Sequence, residues 1–540
     1  MSEESARSTG GGLAPLEQTV RQIAEGIVAR APAGWTRAVL ASTAGGGGVS
    51  VSGGYAVPGA RPWEHPAPSP FAELGQVAEA LREARGWEHT SLEIVCLPSG
   101  AYRMVAFTDA VSSLSGVGGG FQAVLDSGYR LPQPGFAQAA GAACAGGDPD
   151  LAVARFHAYL ERRATILGRP EQLPPPASAA ALDEAERRIG RPLPADLRAL
   201  YAIADGDCIE FEHRYLLDGY AWMSLEDLVA VHTYQSEPAW HGWSLGRDAV
   251  VFDADPPDTV RRCGGHPAWL PFATGEDGNY LAVDLAPARD GRPGQVIRIG
   301  RDHDRGPAYV ADSVTSLLGN HLKSLEQGAY ELDEGHLALL RRGHGCGPER
   351  IVGAIPDPVP PALQAIHIND AVGTVDLAPL TAAPALRLLH LNRSATADLT
   401  PLRGLPVESV RVTLDGGDLA PLDGHRHLTS LDLGTAAPVD LAPLRGVPQL
   451  RCLDLSRADV GDLTVLADLP DLRYLSLTAR QWTLLLDQGK APLTLAAAHL
   501  ADSGAPCDLD FDEALAWAAR LGLDTGDAFR TSGTVGGGGA

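Results

Sequence analysis

The sequence has almost no lysine and few aromatic residues. Lysine occurs only at Lys323 and Lys490, and arginine carries the remaining positive charge. Aromatic residues make up 6% of the 540 residues, whereas 62 glycines and 41 prolines are present. This composition, which is also rich in alanine, is typical of a GC-rich bacterial coding bias and says little about function.

The cysteines form no pair at metal-binding spacing. Seven are scattered along the chain with no C-x-x-C motif, namely Cys96, Cys144, Cys208, Cys263, Cys346, Cys452 and Cys507. An odd, scattered set argues against a zinc site or a disulfide framework and fits a reducing compartment. We therefore expect a cytoplasmic protein with no metal and no cofactor.

Long apolar runs are also missing. No stretch approaches the 18 apolar residues that a membrane-spanning helix needs, so we expect no membrane segment. The first twelve residues are polar and acidic and lack the apolar core of a signal peptide.

The net charge of −24, from 43 basic and 67 acidic residues, argues against nucleic-acid binding. A phosphate backbone requires a basic surface. An acidic surface would attract a basic partner, but the simpler explanation for most of these charges is solubility.

The chain is too long for one hydrophobic core, and its patterns predict a multidomain protein. We predict a disordered tail (1–12), an α+β N-terminal unit ending in a helix (13–168), a proline-rich linker (169–176) and an α+β central unit (177–331). An α/β repeat unit (361–480), a C-terminal cap (481–532) and a second disordered tail (533–540) follow.

The repeat unit is defined by Asp-Leu pairs at a regular spacing. The aspartates are Asp376, Asp398, Asp418, Asp440 and Asp462, at intervals of 22, 20, 22 and 22 residues. This period, with an L-x-x-L-x-L pattern, is typical of leucine-rich repeats. The D-L-x-P-L segment resembles the short repeats of internalin-type bacterial proteins, which implies a solenoid. Each aspartate is expected to bond the turn backbone and not a ligand.

One column of the repeats is a candidate protein-binding surface. Residues between the last two apolar positions of each repeat should point to the concave face of the solenoid. The predicted contacts are His367, His390, Arg411, Asp432, Asp454 and Ser476, with Tyr474 beside them. The alternative is a polar face that binds nothing.

The central unit contains a second candidate surface, the hairpin between Trp269 and Gly300. "NYLAVDL" alternates between two faces, "PARDGRPG" forms a turn, and "QVIRIG" returns. The candidate contacts are Glu276, Asp277, Asn279, Tyr280 and Asp284. No histidine or metal-ligand spacing accompanies these carboxylates.

Residues 177–331 resemble the SMI1/KNR4 family of the SUKH superfamily. The resemblance rests on "LDEAERRIGRPLPADLRALYAIADG", "WMSLEDL", "WLPFATGEDGNYLAVDLAP", "GQVIRIGRD" and "VADSVTSLLGNHL", which occur in this order. It implies an α+β binding domain without catalytic residues. Many bacterial members are inferred immunity proteins against toxins, and fungal members act in cell-wall and signalling regulation.

Three functions remain open at this stage. The first is an immunity or inhibitor protein whose hairpin and concave repeat face bind a basic toxin domain; residues 171–330 contain 25 acidic and 14 basic residues. The second is a regulatory scaffold that assembles signalling or cell-wall factors. The third, ranked last, is an enzyme with its site in the N-terminal unit. The sequence leaves the oligomeric state open.

Overall fold

The computed structural model describes most of the chain. The described residues are 14–45, 48–60, 64–87, 90–108, 111–114, 120–126, 128–141, 147–209, 212–213, 215–235, 250–303, 305–333, 336–340, 349–501 and 511–536. The predicted tail at 1–12 and the last four residues of the tail at 533–540 lie outside these ranges, as do Cys144, Cys346 and Cys507.

Nine α-helices lie in the described residues: α1 Ala14–Ala29, α2 Phe71–Arg85, α3 Pro149–Leu167, α4 Ala179–Ile189, α5 Ala195–Tyr201, α6 Leu225–Gln235, α7 Val314–Glu326, α8 Ala479–Asp487 and α9 Phe511–Arg520. Their ends follow local chemistry. Asp148 caps α3 by accepting from the Leu151 amide, and Gly190 ends α4 at a φ of 78°. The sequence itself favours Gly190 as the end of α4 and offers either Asp148 or Asp150 as the cap of α3.

The N-terminal sheet is antiparallel and takes its last strand from the other end of the chain. Its strands are β1 Arg37–Gly45, β2 Gly48–Ala56, β3 Thr90–Cys96, β4 Ala101–Phe107 and β24 Phe529–Thr534, in the order β2-β1-β3-β4-β24. Helices α1 and α2 pack on one face through residues such as Val20, Leu74 and Ile94. This last strand therefore joins residues 529–532, which we predicted as part of the C-terminal cap, with residues 533–534, which we predicted as disordered tail.

A ten-stranded sheet, called the strand array below, contains the sequence repeats. Its strands are β5 Val111–Leu114, β6 Gly120–Val124, β16 Glu349–Val352, β17 Leu363–Asn369, β18 Leu388–Thr396, β19 Ser409–Leu414, β20 Ser430–Thr435, β21 Cys452–Arg457, β22 Tyr474–Thr478 and β23 Ala497–Ala501. Strands β16 to β23 are parallel. Their leucines form one continuous core, for example Leu389, Leu431 and Leu453.

Each Asp-Leu pair starts a short 3₁₀ helix between two strands. These helices are Ala378–Ala382, Thr400–Gly404, Ala420–Leu422, Ala442–Gly446 and Thr464–Asp468. In all five, the aspartate Oδ1 accepts from the backbone amide two residues later, at 2.8–2.9 Å. The predicted structural role of these aspartates is confirmed.

The far end of the array is closed by residues from both ends of the chain. Strand β6 pairs antiparallel with β23, and β5 pairs with β6. Phe121 on β6 lies 5.5 Å from Phe511 on α9, and Trp482 on α8 lies 5.6 Å from Trp517 on α9 (ring centroids). The sheet therefore continues beyond the predicted cap at 481–532 into β6 and β5 from the N-terminal part, which cover the edge of β23.

The central unit is built on the sheet β13-β12-β11-β10-β9, with β9 Ala221–Trp222, β10 Trp269–Thr274, β11 Asn279–Asp284, β12 Gln295–Gly300 and β13 Ala308–Ala311. Two short pairs lie beside it, β7 Cys208–Ile209 with β8 Glu212–His213 and β14 Tyr330–Asp333 with β15 His336–Leu339.

Helix α3 belongs to this central core, although we predicted it in the N-terminal unit. It packs on α5 and α7. Its Phe156 meets Trp222 edge-on at 5.6 Å, and Tyr159 donates a hydrogen bond to the Leu216 carbonyl. The apolar face of a helix can be buried by any matching surface, so its sequence alone did not identify its partner.

Candidate protein-binding site

The predicted column of polar residues is aligned across the strand array. Backbone pairing places His367 opposite His390, then Arg411, Asp432, Asp454 and Ser476 on successive strands. We call these six residues the central column. The structure extends it to His499 on β23 and Gln122 on β6. The Asp-Leu pattern is missing before β23, and Gln122 comes from the N-terminal part, so sequence periodicity missed both.

Three of the six side chains of the central column are partly exposed: His367 at one end, and Arg411 and Asp432 in the middle. The Arg411 and Asp432 side chains are 25% and 17% exposed, whereas His390, Asp454 and Ser476 are buried. Ser476 Oγ lies 2.8 Å from Nδ1 of His499, and Asp454 Oδ1 accepts from the Ser456 amide and hydroxyl. The column is therefore partly a hydrogen-bonded interior row, which corrects the prediction that all six residues face a partner.

Tyr474 is fully buried and is likewise not a surface contact. It packs with Cys452, and Tyr129 and Leu131 from the N-terminal part cover this cluster. The sequence pattern placed Tyr474 on the sheet face correctly. It could not indicate that another segment of the chain lies over that face.

Asp432 is held between two arginines. Arg411 Nε donates to Asp432 Oδ2 and Arg457 Nη2 to Oδ1, each at 2.7 Å. Arg457 Nη1 also donates to Thr413 Oγ1, at 3.3 Å. The opposite charges of Arg411 and Asp432 in the column are therefore paired inside the molecule. A partner would meet a fixed, hydrogen-bonded polar surface.

One edge of the same sheet face is occupied by the central unit. Val250 and Phe252 pack on Ala365 and Leu388, which lie two residues before the central column on β17 and β18. The side-chain amide of Gln364 accepts a hydrogen bond from the Asp253 backbone amide and donates one to the Asp253 backbone carbonyl. The central unit and the strand array thus form a continuous packed contact.

The hairpin tip, defined here as residues 275–279, presents two exposed carboxylates. Glu276 has a positive φ of 62°, and its carboxylate accepts from the Tyr215 hydroxyl at 2.9 Å. Asp277 Oδ1 accepts from the Asn279 amide, and these hydrogen bonds lower its pKa below the usual value. The tip therefore stays negatively charged at neutral pH.

Asn279 holds the tip in shape and is itself buried. Its side-chain Nδ2 donates to Asp277 Oδ2 at 3.0 Å and to Asp302 Oδ2 at 2.7 Å. Tyr280 is half-buried against the cluster around Trp269 and Ile297. Of the five predicted hairpin contacts, Glu276 and Asp277 are the exposed ones.

Asp284 is fully buried, which corrects its prediction as a partner contact. Its Oδ1 accepts from the Ala286 amide, and its Oδ2 accepts from Gln295 Nε2 at 2.9 Å. Burial raises the pKa of this carboxyl to about 6. Apolar clusters cover both faces of this sheet. The alternating pattern of β11 therefore could not show that neither face is open to solvent at Asp284.

Metal-ligand groups, reactive thiols and membrane-spanning helices do not accompany these two surfaces in the described residues. They contain no group of three or more histidine, cysteine or acidic side chains placed to hold a metal ion. Burial raises the pKa of the Cys96 and Cys263 thiols to about 12, so both stay protonated at neutral pH. No helix in the described ranges is long and apolar enough to cross a membrane.

Comparison with known families identifies the central unit. Residues 176–320 match the SMI1 / KNR4 family (SUKH-1). This part of the chain is an SMI1/KNR4 (SUKH-1) domain. The SUKH domain thus comprises α4 to α7 and the sheet β9 to β13, and α3 packs against it from outside the matched range.

Relatives of the SUKH domain are fungal proteins named as regulators. The "Glucan synthesis regulatory protein" of Neurospora crassa is 29% identical over 182 residues, covering 28% of this chain and 34% of that protein. The "Cell wall biosynthesis/cell cycle regulator smi1" of Schizosaccharomyces pombe is 31% identical over 170 residues, covering 30% and 34%. The match therefore spans about a third of the length of these relatives.

The "Cell wall assembly regulator SMI1" of Saccharomyces cerevisiae is 38% identical over 77 residues, covering 14% of this chain and 15% of that protein. Among solved structures, an internalin (inlF) of Listeria monocytogenes is 28% identical, covers 22% of this chain and 35% of that chain, and has a TM-score of 0.20. Internalin C2 of the same species is 20% identical, covers 28% and 58%, and has a TM-score of 0.19. Such scores carry no conclusion about the fold.

Proposed function

We propose that this chain is a non-enzymatic regulatory scaffold that binds a protein partner. Its SUKH domain is similar to regions of fungal proteins that are named as regulators and not as enzymes. The observation that carries the proposal is the open middle of the central column. There, Arg411, Asp432 and Arg457 form a fixed ion triad on the face of a long sheet. A rigid polar surface of this kind fits a complementary protein or peptide.

The strand array is, in this proposal, a leucine-rich-repeat solenoid with its sheet on the concave side. The 20–22-residue period, the parallel strands and the 3₁₀ connections support this assignment. So do the buried leucines at the repeating positions. We also propose the division into an N-terminal sheet unit, a SUKH domain and a repeat unit, with a cytoplasmic location.

Regulation is preferred over toxin inhibition. The relatives described above are named as cell-wall regulators, and none of these is named as a toxin inhibitor. A bacterial immunity role would rest on the acidic surface, of which Glu276 and Asp277 are the exposed part at the hairpin tip. Acidity of this kind also serves solubility, so it does not distinguish a toxin from another basic partner.

The test is affinity capture with the full chain and two matched variants. Arg457→Glu reverses a charge that lies over the sheet face, at the side of Asp432. Arg445→Glu is the control, because Arg445 also pairs with one aspartate, Asp468, but on a 3₁₀ helix away from that face. The two arginines are similarly exposed, 43% and 47%.

A partner that is lost with Arg457→Glu and kept with Arg445→Glu would support binding at the central column. The same comparison at the hairpin tip uses Glu276→Lys, with the exposed helix residue Glu226→Lys as its control. Recovery of one basic toxin domain would favour the inhibitor function. If both members of each pair bind the same proteins as the unmodified chain, neither surface is the binding site.

A further inference from the structure

A cavity lies where three parts of the chain meet. Its walls come from residues 131–137 of the N-terminal part, from Val251 and Arg262 of the SUKH domain, and from the strand array. Its volume is about 400 Å³. Pockets that bind small ligands typically enclose roughly 300–1,000 Å³. Neither the family match nor the proposed partner surface accounts for this space.

The strand array contributes a second row of polar residues to the wall of this cavity. We call this row the edge row. It consists of Gln364 in β17 and of the residues immediately before β18 to β22, namely Arg387, Glu408, Thr429, Arg451 and Arg473. Backbone hydrogen bonds join these six residues in sequence. Four neighbours in the row, from Arg387 to Arg451, line the cavity. Gln449 and His427 lie at its exposed side.

At and beside this cavity, the arginine side chains outnumber the carboxylates with which they form ion pairs. Arg262 Nη2 donates to both oxygens of Glu408, at 2.6 and 2.8 Å, and Arg387 Nη1 donates to the same carboxylate at 3.0 Å. Arg451 and Arg473 likewise share one carboxylate, that of Asp471. Four arginines thus share two carboxylates, in a protein whose net charge is −24. Asp253 adds a third negative charge near Arg387. Four arginines against three carboxylates still leave an excess of one positive charge.

In the described part of the chain, Arg387 has a hydrogen-bond donor without an acceptor. Its Nε is buried and has no hydrogen-bond partner among the described residues. Burial and the neighbouring Arg262 charge lower the Arg387 pKa from its usual value. Buried donors of this kind are normally bonded. An acceptor with negative charge would satisfy the donor and offset the excess of positive charge.

We propose that this cavity binds a small organic anion through a phosphate or carboxylate group. Arginine forks hold such groups by paired hydrogen bonds. Arg387 and Arg451 would hold the anionic group, and the apolar wall of Leu131, Pro134 and Val251 would contact the organic part. Since the walls belong to three parts of the chain, the bound anion braces the SUKH domain against the strand array. This site is separate from the central column and does not depend on the proposed partner.

The experiment is isothermal titration calorimetry on the full chain at constant ionic strength. The probes are inorganic phosphate, citrate and adenosine monophosphate, which separate phosphate from carboxylate recognition. We expect saturable binding of at least one probe. Arg387→Met should weaken it at least tenfold, whereas Glu408→Gln should tighten it at least threefold because it removes the internal competitor. A merely structural role for Glu408 would not give this opposite effect.

Two surface variants keep the test valid if a buried variant does not fold. Gln449→Glu places a negative charge at the exposed side of the cavity and should weaken binding at least threefold. Gln488→Glu adds the same charge at the end of α8, outside the cavity lining, and should leave binding unchanged. The proposal fails if none of the probes saturates, if both glutamine variants weaken binding equally, or if Glu408→Gln weakens it.

Discussion

Arg262 of the SUKH domain binds both carboxylate oxygens of Glu408, which precedes strand β19 of the array. The pair is 146 residues apart in sequence, and both side chains are nearly buried, at 9% and 12% exposure. Arg262 Nε also donates to the Val251 carbonyl, so its guanidinium is fixed from both sides. This ion pair links the SUKH domain directly to the strand array.

Replacing Arg262 with methionine is expected to lower the free energy of unfolding by about 2–3 kcal/mol. Loss of one partner of a buried ion pair typically costs roughly 3–5 kcal/mol, and Arg387 still pairs with Glu408 here. Urea unfolding followed by circular dichroism measures the change. Arg289→Met is the control, because Arg289 is 64% exposed in its pair with Asp258. Equal effects of the two variants would contradict the bracing role of Arg262.

Removal of strand β24 is expected to loosen the N-terminal sheet more than 400 residues away. β24 pairs with β4 from Phe529–Ala106 to Thr534–Ala101. Truncation after Gly526 should raise amide hydrogen exchange in β4 at least tenfold, because that strand becomes an edge. Truncation after Gly536 keeps β24 and serves as the control. Unchanged exchange in the shorter chain would show that β24 does not support this sheet.

Replacing a leucine with alanine is expected to cost more stability in the core of the strand array than on the exposed side of helix α8. Leu453 is fully buried in the array core, so Leu453→Ala should lower the free energy of unfolding by about 2–5 kcal/mol. Leu484 on helix α8 is 48% exposed, and Leu484→Ala should change it by less than about 0.5 kcal/mol. Paired urea titrations of the two variants compare these costs. A similar loss at both positions would argue against the packing described for the array.

Asp284 is expected to make the folded protein less stable as the pH rises from about 4 to above 6. Its pKa is raised from 3.8 to about 6 in the folded protein, so the unfolded chain releases this proton first. Its contribution is therefore fully present below pH 4 and is lost as the pH rises through 6. The loss approaches about 3 kcal/mol, since one pKa unit corresponds to about 1.4 kcal/mol.

Asp284→Asn isolates this effect, because an amide does not titrate. The stability of the variant relative to the unmodified chain should rise between pH 4 and pH 7. Urea unfolding at four pH values in this range measures the difference, and carboxylates common to both proteins cancel from it. A constant difference across the range would mean that the Asp284 pKa is not raised.

The sequence determined those features that depend on neighbouring residues. The aligned Asp-Leu repeats predicted the register of His367 through Ser476, because equivalent positions of successive repeats pair on adjacent strands. The aspartate side chains could be assigned to the turns, since an Asx hydrogen bond spans two residues. The end of α4 followed from Gly190 for the same local reason, and the start of α3 was narrowed to Asp148 or Asp150, of which the structure shows Asp148 as the cap.

Only the tertiary structure decided which surfaces cover one another. The sequence placed Tyr474 and Asp284 on sheet faces, but burial by other segments removed both from the candidate site. The pairing of β24 with β4, the pairing of β6 with β23, and the Arg262–Glu408 contact join distant residues. Such contacts depend on shape and charge complementarity between separate segments, which leaves no periodic pattern in a single sequence.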